Sequence, residues 1–78
     1  MKCAGVGPGN RMEQSGYLTA DFTQKSCSAV IGSIVANTAG NQKCCNFPDI
    51  REDSFKRFCN LQLPDHRFAD YHPSVQPC

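Results

Sequence analysis

The segment DHRFADYH, residues 65–72, brings together the side chains of this sequence that are best suited to chemistry. His66 and His72 could serve as general acid and base, and Arg67 could hold a phosphate, as an RNA-cleaving site requires. Clusters of this kind are also common on polar surface loops, where the histidines face water. We therefore expect a surface loop, and we keep a small secreted ribonuclease that uses these three residues as an alternative.

Other catalytic and cofactor motifs are missing from the sequence. The nucleophile motif G-x-S-x-G is absent. The stretch GVGPGN, residues 5–10, differs from a phosphate-binding loop because few residues precede it and its third glycine comes one position early, so it is predicted to be a turn. Gly32 lies within an apolar stretch and is predicted to be a close-packing point. We expect neither enzymatic activity nor a cofactor.

The second chemical feature is the cysteine content. The six cysteines are Cys3, Cys27, Cys44, Cys45, Cys59 and Cys78. A chain of 78 residues forms one domain, residues 1–78, with a marginal core that usually needs disulfides or a metal. An even number of cysteines predicts three disulfides and a secreted protein. No C-x-x-C spacing is present, so neither a zinc site nor a redox pair is expected.

Cys44 and Cys45 are adjacent, which restricts their pairing. Successive side chains of a strand point to opposite faces. One of the two should therefore pair with a helix cysteine, Cys27 or Cys59, and the other with a cysteine at the far face or edge. We also expect a bridge between the chain ends, from Cys3 to Cys78.

Two helices are predicted. The first covers residues 23–40, with Thr23 as its N-cap and Gly40 as its C-terminal cap. The second covers 49–62, where Asp49 and Glu52 have the spacing of a capping box. The residues at helical spacing are Cys27, Val30, Ile31, Ile34, Val35 and Thr38 in the first helix, and Phe55, Phe58 and Cys59 in the second.

Short strands are predicted around these helices. They are a short edge strand through Cys3, strands over residues 15–22 and 41–47, and an edge strand around 67–71. Two prolines, Pro73 and Pro77, argue against regular pairing beyond that point. The expected fold class is α+β: a small antiparallel sheet with two helices packed on one face, stapled by three disulfides.

The charges nearly cancel, with eight Lys and Arg against seven Asp and Glu. No basic tract is present, so nucleic acid is not expected as a partner. No apolar run reaches the roughly 20 residues of a membrane span. The candidate interaction surface comprises Arg51, Lys56, Arg57, His66, Arg67 and His72. Arg51, Lys56 and Arg57 are expected to form a solvated helix face and are candidates for contact with an acidic partner. An open sheet edge could give weak self-association.

Four stretches resemble the killer-protein-six family, which includes toxin subunits of a virus carried by smut fungi and secreted effectors of plant-pathogenic fungi. They are CAGVG, CSAVIGSIV, NQKCCNFPDIREDSFKRFC and the final cysteine. Cys3, Cys27, Cys44 or Cys45, Cys59 and Cys78 match the family positions, and the doublet departs from the pattern. The resemblance implies an antiparallel sheet with two helices on one face.

The same resemblance implies a function. It implies a secreted effector or killer-toxin-like protein that binds a host or competitor target without catalysis, in the apoplast or after entry into a host cell. Plant lipid-transfer proteins share a cysteine doublet, but they have four helices and eight cysteines, against six here. A lipid-binding cysteine-rich protein stays as a further alternative.

Overall fold

The computed structural model of the protein describes residues 1–36 and 43–78. Its elements in chain order are strand β1 (Lys2–Val6), helix α1 (Tyr17–Ala29), strands β2 (Ser33–Ala36) and β3 (Lys43–Asn46), helix α2 (Glu52–Asn60) and strand β4 (His72–Gln76). Short 3₁₀ turns cover Pro8–Asn10, Asp49–Arg51 and His66–Phe68. Within the described residues, neither helix is long and apolar enough to cross a bilayer.

The four strands form two antiparallel ribbons that meet at Met1. Strand β1 pairs with β4, with Cys3 opposite Val75, and β2 pairs with β3, with Ile34 opposite Cys45. The amide of Cys45 donates to the Met1 carbonyl oxygen at 2.7 Å, and the amino nitrogen of Met1 donates to the Cys45 carbonyl oxygen at 3.0 Å. The spatial order is therefore β4-β1-β3-β2, a split β-α-β arrangement. The predicted α+β class is confirmed.

Two threonines of α1 explain why the ribbons separate beyond Met1. The amide of Cys3 donates to Thr23 Oγ1 at 2.9 Å, and the amide of Gly5 donates to Thr19 Oγ1 at 3.1 Å. Side-chain oxygens of the helix thus take backbone donors that a neighbouring strand would otherwise use. Thr23 is buried in the middle of α1, so its predicted role as an N-cap is wrong.

The core lies between the helices and the strands. Its buried members are Cys3, Leu18, Phe22, Cys27, Val30, Cys45, Phe55 and Cys59. The prediction of a strand over 15–22 is wrong, because α1 begins at Tyr17. Half of the buried face of α1 is made of threonine and serine, so a search for apolar periodicity does not find the first turns of this helix.

The predicted helix over 23–40 also ends too late. Helix α1 stops at Ala29, and Ile34 and Val35 lie in β2, as β-branched residues favour. Gly32 is a close-packing point as predicted, although it lies outside the helix. A Cβ atom there would lie 2.7 Å from the Cys45 sulfur and 2.8 Å from the Cys27 sulfur. The predicted cap at Gly40 lies outside the described residues.

Three disulfides join Cys3 to Cys59, Cys27 to Cys45, and Cys44 to Cys78. The doublet behaves as predicted, because Cys45 reaches helix α1 and Cys44 reaches the chain end. The predicted bridge from Cys3 to Cys78 is wrong. Cys3 points toward the helices, and its Cα atom lies 5.6 Å from that of Cys59.

The C-terminal half follows the prediction with two corrections. The expected strand at 41–47 corresponds to β3, and the expected second helix to a 3₁₀ turn followed by α2. No side-chain hydrogen bond caps α2, so the capping box is wrong. The last strand covers His72–Gln76 rather than 67–71, and it includes Pro73 because β4 is an edge strand, where a missing amide is tolerated.

Candidate functional site

The turn that ends α1 holds an unusual residue, Ile31. The amide of Ile31 donates to the Ser28 carbonyl oxygen at 3.2 Å, and that of Gly32 donates to the Cys27 carbonyl oxygen at 2.9 Å. These are the two hydrogen bonds of a Schellman motif, which places Ile31 where glycine is usual. The φ angle of Ile31 is +56°, which is a clear outlier for a β-branched residue.

The side chain of Ile31 is 81% exposed. A residue held in such a backbone region carries strain of about 1–3 kcal/mol. The glycine of this segment comes one position later, where only Gly32 fits against the Cys27–Cys45 disulfide. Neither the backbone nor the core gains from an isoleucine at position 31, and outliers of this kind concentrate at functional sites.

A groove of about 210 Å³ separates this turn from α2. Ile31 lies on one side, and Arg51, Ser54 and Phe58 lie on the other. Phe58 has the same helical spacing as the buried Phe55 and Cys59 but is 40% exposed, and Leu61, three residues further along, is 69% exposed. We call Ile31, Phe58 and Leu61 the Ile31 patch.

The charge next to Phe58 in the Ile31 patch comes from Arg57. At about 100° per residue, the flank of α2 near the groove carries Ser54, Arg57, Phe58 and Leu61, and Asp53 lies one turn before Arg57 at the edge of this flank. Arg57 is exposed and forms no ion pair with any described residue. The patch is therefore an apolar surface that Arg57 borders on α2.

The other two basic residues of this helix region are engaged within the protein. Arg51 is half-buried, and its Nη1 donates to the Val30 carbonyl oxygen at 2.6 Å. It therefore positions the turn before Ile31 instead of facing solvent. Lys56 forms an ion pair with Glu52 at 3.5 Å on the opposite flank of α2. Of the three basic residues predicted here, Arg57 alone makes neither an ion pair nor a side-chain hydrogen bond with the described residues.

The predicted residues of segment 65–72 lie elsewhere on the molecule. Asp65 accepts from Arg67 Nη2 at 3.1 Å, and this hydrogen bond is the main cause that lowers the pKa of Asp65. His66 and His72 are exposed, and no hydrogen bond among the described residues links either one to Arg67. The described hydrogen bonds therefore do not join the two histidines and Arg67 into one preformed site.

Metal binding finds no support within the described residues. They contain no cluster of three His, Cys, Asp or Glu side chains that could hold an ion. Every cysteine belongs to a disulfide, so none offers a thiolate ligand.

Sequence reasoning did not find the Ile31 patch, although a signal was present. The order Val30-Ile31-Gly32 places a glycine one residue after the position at which a helix of this length needs it. Recognising that displacement requires the correct helix end, which the apolar pattern obscured. No family model, curated protein or solved structure matches this chain. The family resemblance therefore stays a prediction.

Proposed function

We propose that this protein is a secreted, disulfide-stapled binding protein that acts without catalysis by docking the Ile31 patch onto a target protein of a host or competitor cell. The exposed and strained Ile31 is the observation that carries the proposal. An effector or killer-toxin-like role agrees with the sequence resemblance to the killer-protein-six family. Secretion agrees with three disulfides, which persist in oxidising compartments.

The patch is rigid, which favours binding. Its turn is fixed by the Schellman hydrogen bonds, by the hydrogen bond from Arg51, and by the Cys27–Cys45 disulfide under Gly32. A preformed surface loses little conformational entropy when it meets a partner. Exposed Phe58 and Ile31 on opposite sides of a groove can act as anchors that are desolvated on contact.

The charge at the border of the patch indicates which kind of protein surface would bind it. Arg57 is exposed beside Phe58 and Leu61, and it forms no ion pair with any described residue, including Asp53 one turn earlier. The complementary surface is an apolar protein surface with an acidic rim. Arg57 would then contribute to the rate of association and to its dependence on salt.

The test uses fluorescently labelled protein on intact plant cells and fungal cells. Saturable binding is expected on at least one cell type, and Ile31→Gly should weaken it by at least about tenfold if Ile31 is an anchor. This substitution relieves strain, so lost binding cannot be assigned to unfolding. Ile50→Ser is the matched control, because Ile50 is 88% exposed and lies outside the groove lining.

Two outcomes would overturn the proposal. One is the absence of saturable binding on both cell types. The other is equal binding by wild type and Ile31→Gly. An RNA-cleavage assay on the same preparation tests the ribonuclease alternative, which predicts activity that is lost in His66→Ala and His72→Ala.

A further inference from the structure

A second cleft, of about 430 Å³, lies between the segment after β1 and the segment before β4. Its size falls within the range of small-molecule sites, about 300–1,000 Å³. Arg11 and Arg67 supply positive charge to its lining, and Met12, Phe68 and Tyr71 supply apolar surface. We call it the Arg67 cleft. Its lining shares no residue with that of the groove beside Ile31.

The guanidinium of Arg67 is held in place and is still accessible. Asp65 accepts from its Nη2 at 3.1 Å and from its backbone amide at 2.9 Å. The guanidinium carbon lies 5.5 Å from the ring centroids of both Tyr17 and Phe68. The side chain nevertheless remains 63% exposed. A guanidinium has five N–H donors, and the hydrogen bond to Asp65 uses one of them.

The second cation, Arg11, has no ion pair among the described residues and is exposed. The carboxylate in the cleft lining, Glu13, does not neutralise it. Glu13 is 7% exposed, and its oxygens accept hydrogen bonds from Ser15 and from the amide of Leu18 at the start of α1. Its charge is thus directed into the helix end. Because Asp65 pairs with Arg67, the positive charge of the cleft that pairs with no described carboxylate is that of Arg11.

The apolar wall is also preformed. Phe68 and Tyr71 pack edge to face with centroids 5.9 Å apart. The Tyr71 ring lies directly on the backbone of Gly7, where a Cβ atom would come within 2.8 Å of the ring. An aromatic corner formed by two nearly perpendicular rings therefore stands beside two arginines. Planar carboxylates match the fork of a guanidinium, and aromatic rings pack well against Phe and Tyr.

We propose that the Arg67 cleft binds a small aromatic carboxylic acid, with its carboxylate on Arg67 and Arg11 and its ring against Phe68 and Tyr71. This site is independent of the Ile31 patch.

The test follows backbone amide signals by NMR during titration with benzoate. Two matched probes separate the contributions: benzamide keeps the ring without the charge, and acetate keeps the charge without the ring. Benzoate should bind saturably and about tenfold more tightly than either one, because both a charge-assisted hydrogen bond and ring packing are lost from the weaker probes. The largest signal changes should fall in residues 7–14 and 66–71.

Variants localise the site. Arg67→Gln and Arg11→Gln should each weaken benzoate binding by about tenfold. Arg57→Gln removes an exposed arginine of α2 that does not line the cleft, and it should leave benzoate binding unchanged. If Arg67→Gln does not fold, Arg11→Gln decides the question, because Arg11 makes no ion pair with the described residues. Equal affinity for benzoate and benzamide, or unchanged affinity in Arg11→Gln, would overturn the proposal.

Discussion

Arg51 Nη1 donates a 2.6 Å hydrogen bond to the carbonyl oxygen of Val30, and it thereby ties the start of α2 to the end of α1. The carbonyls at the end of a helix lack partners within that helix, so a cation there is favourable. This contact also fixes the residue before Ile31. The position of the Ile31 patch therefore depends on a side chain 20 residues further along the sequence.

Replacing Arg51 should destabilise the protein. Arg51→Ala should lower the free energy of unfolding by about 1–3 kcal/mol, because a charged hydrogen bond is lost and a carbonyl oxygen is left without its donor. Guanidinium chloride titration without reductant measures the change. Arg57→Ala is the control, and it should stay within about 0.5 kcal/mol because Arg57 is exposed and unpaired among the described residues. Equal effects of the two substitutions would contradict the assigned contact.

Replacing Ile31 should have the opposite effect on stability. Ile31→Gly should raise the free energy of unfolding by about 1 kcal/mol, because glycine adopts positive φ without a steric penalty. Thermal unfolding followed by circular dichroism measures it. If Ile31→Gly stabilises the protein and weakens cell binding, the loss of binding is not caused by unfolding.

Replacing the neighbouring glycine, Gly32, should lower the stability of the protein. Gly32→Ala should destabilise the protein, because its Cβ would approach the Cys45 and Cys27 sulfur atoms within 2.8 Å. The resulting loss should be about 1–3 kcal/mol, as for other overpacked positions. The same thermal measurement applies, and an unchanged melting temperature would show that the disulfide moves freely.

Glu13 should make the protein sensitive to acid. Burial would raise the pKa of the Glu13 carboxyl group, but hydrogen bonds from Ser15, Leu18 and Tyr17 outweigh burial and hold this pKa below its ordinary value. A carboxyl group with a lowered folded-state pKa stabilises the fold fully above its unfolded-state pKa. That stability is lost as pH falls through the folded-state value.

The measurement is the free energy of unfolding from neutral to strongly acidic pH. Glu13→Gln should be less stable at neutral pH, and its stability should fall less steeply in acid. Asp53→Asn serves as the control, because Asp53 is exposed on α2. A wild-type acid slope that persists in Glu13→Gln would assign the acid sensitivity to other groups.

The three disulfides should differ in their reactivity. Cys78 is exposed and Cys44 half-buried, whereas the cysteines of the other two bridges are at most 2% exposed. Mild treatment with a thiol should therefore reduce the Cys44–Cys78 bridge first, because the attacking thiolate needs access to sulfur. Partial reduction, alkylation and mass spectrometry identify the site, with partial acid hydrolysis to cleave between Cys44 and Cys45. Earlier alkylation of Cys3 or Cys59 would contradict the structure.

Several features could be predicted from residue types alone. An even number of cysteines in a short chain predicted a disulfide framework, and alternation along a strand predicted that Cys44 and Cys45 would leave on opposite faces. The strand around the doublet and the second helix followed from local pattern, and Pro48 and Pro64 lie just beyond their ends, where proline is common. These features depend on local geometry, which a sequence expresses directly.

The tertiary structure decided the remaining features. The start of helix α1 at Tyr17 is hidden from the apolar pattern, because two threonines and one serine form half of its buried face. Thr19 and Thr23 find their partners on β1, earlier in the chain. The pairing of Cys3 with Cys59 depends on how the strand and the helix pack. The Ile31 patch depends on where α1 ends, since that end places Gly32 against a disulfide and Ile31 at the position with positive φ. Contacts between distant residues set these outcomes, and no local pattern encodes them.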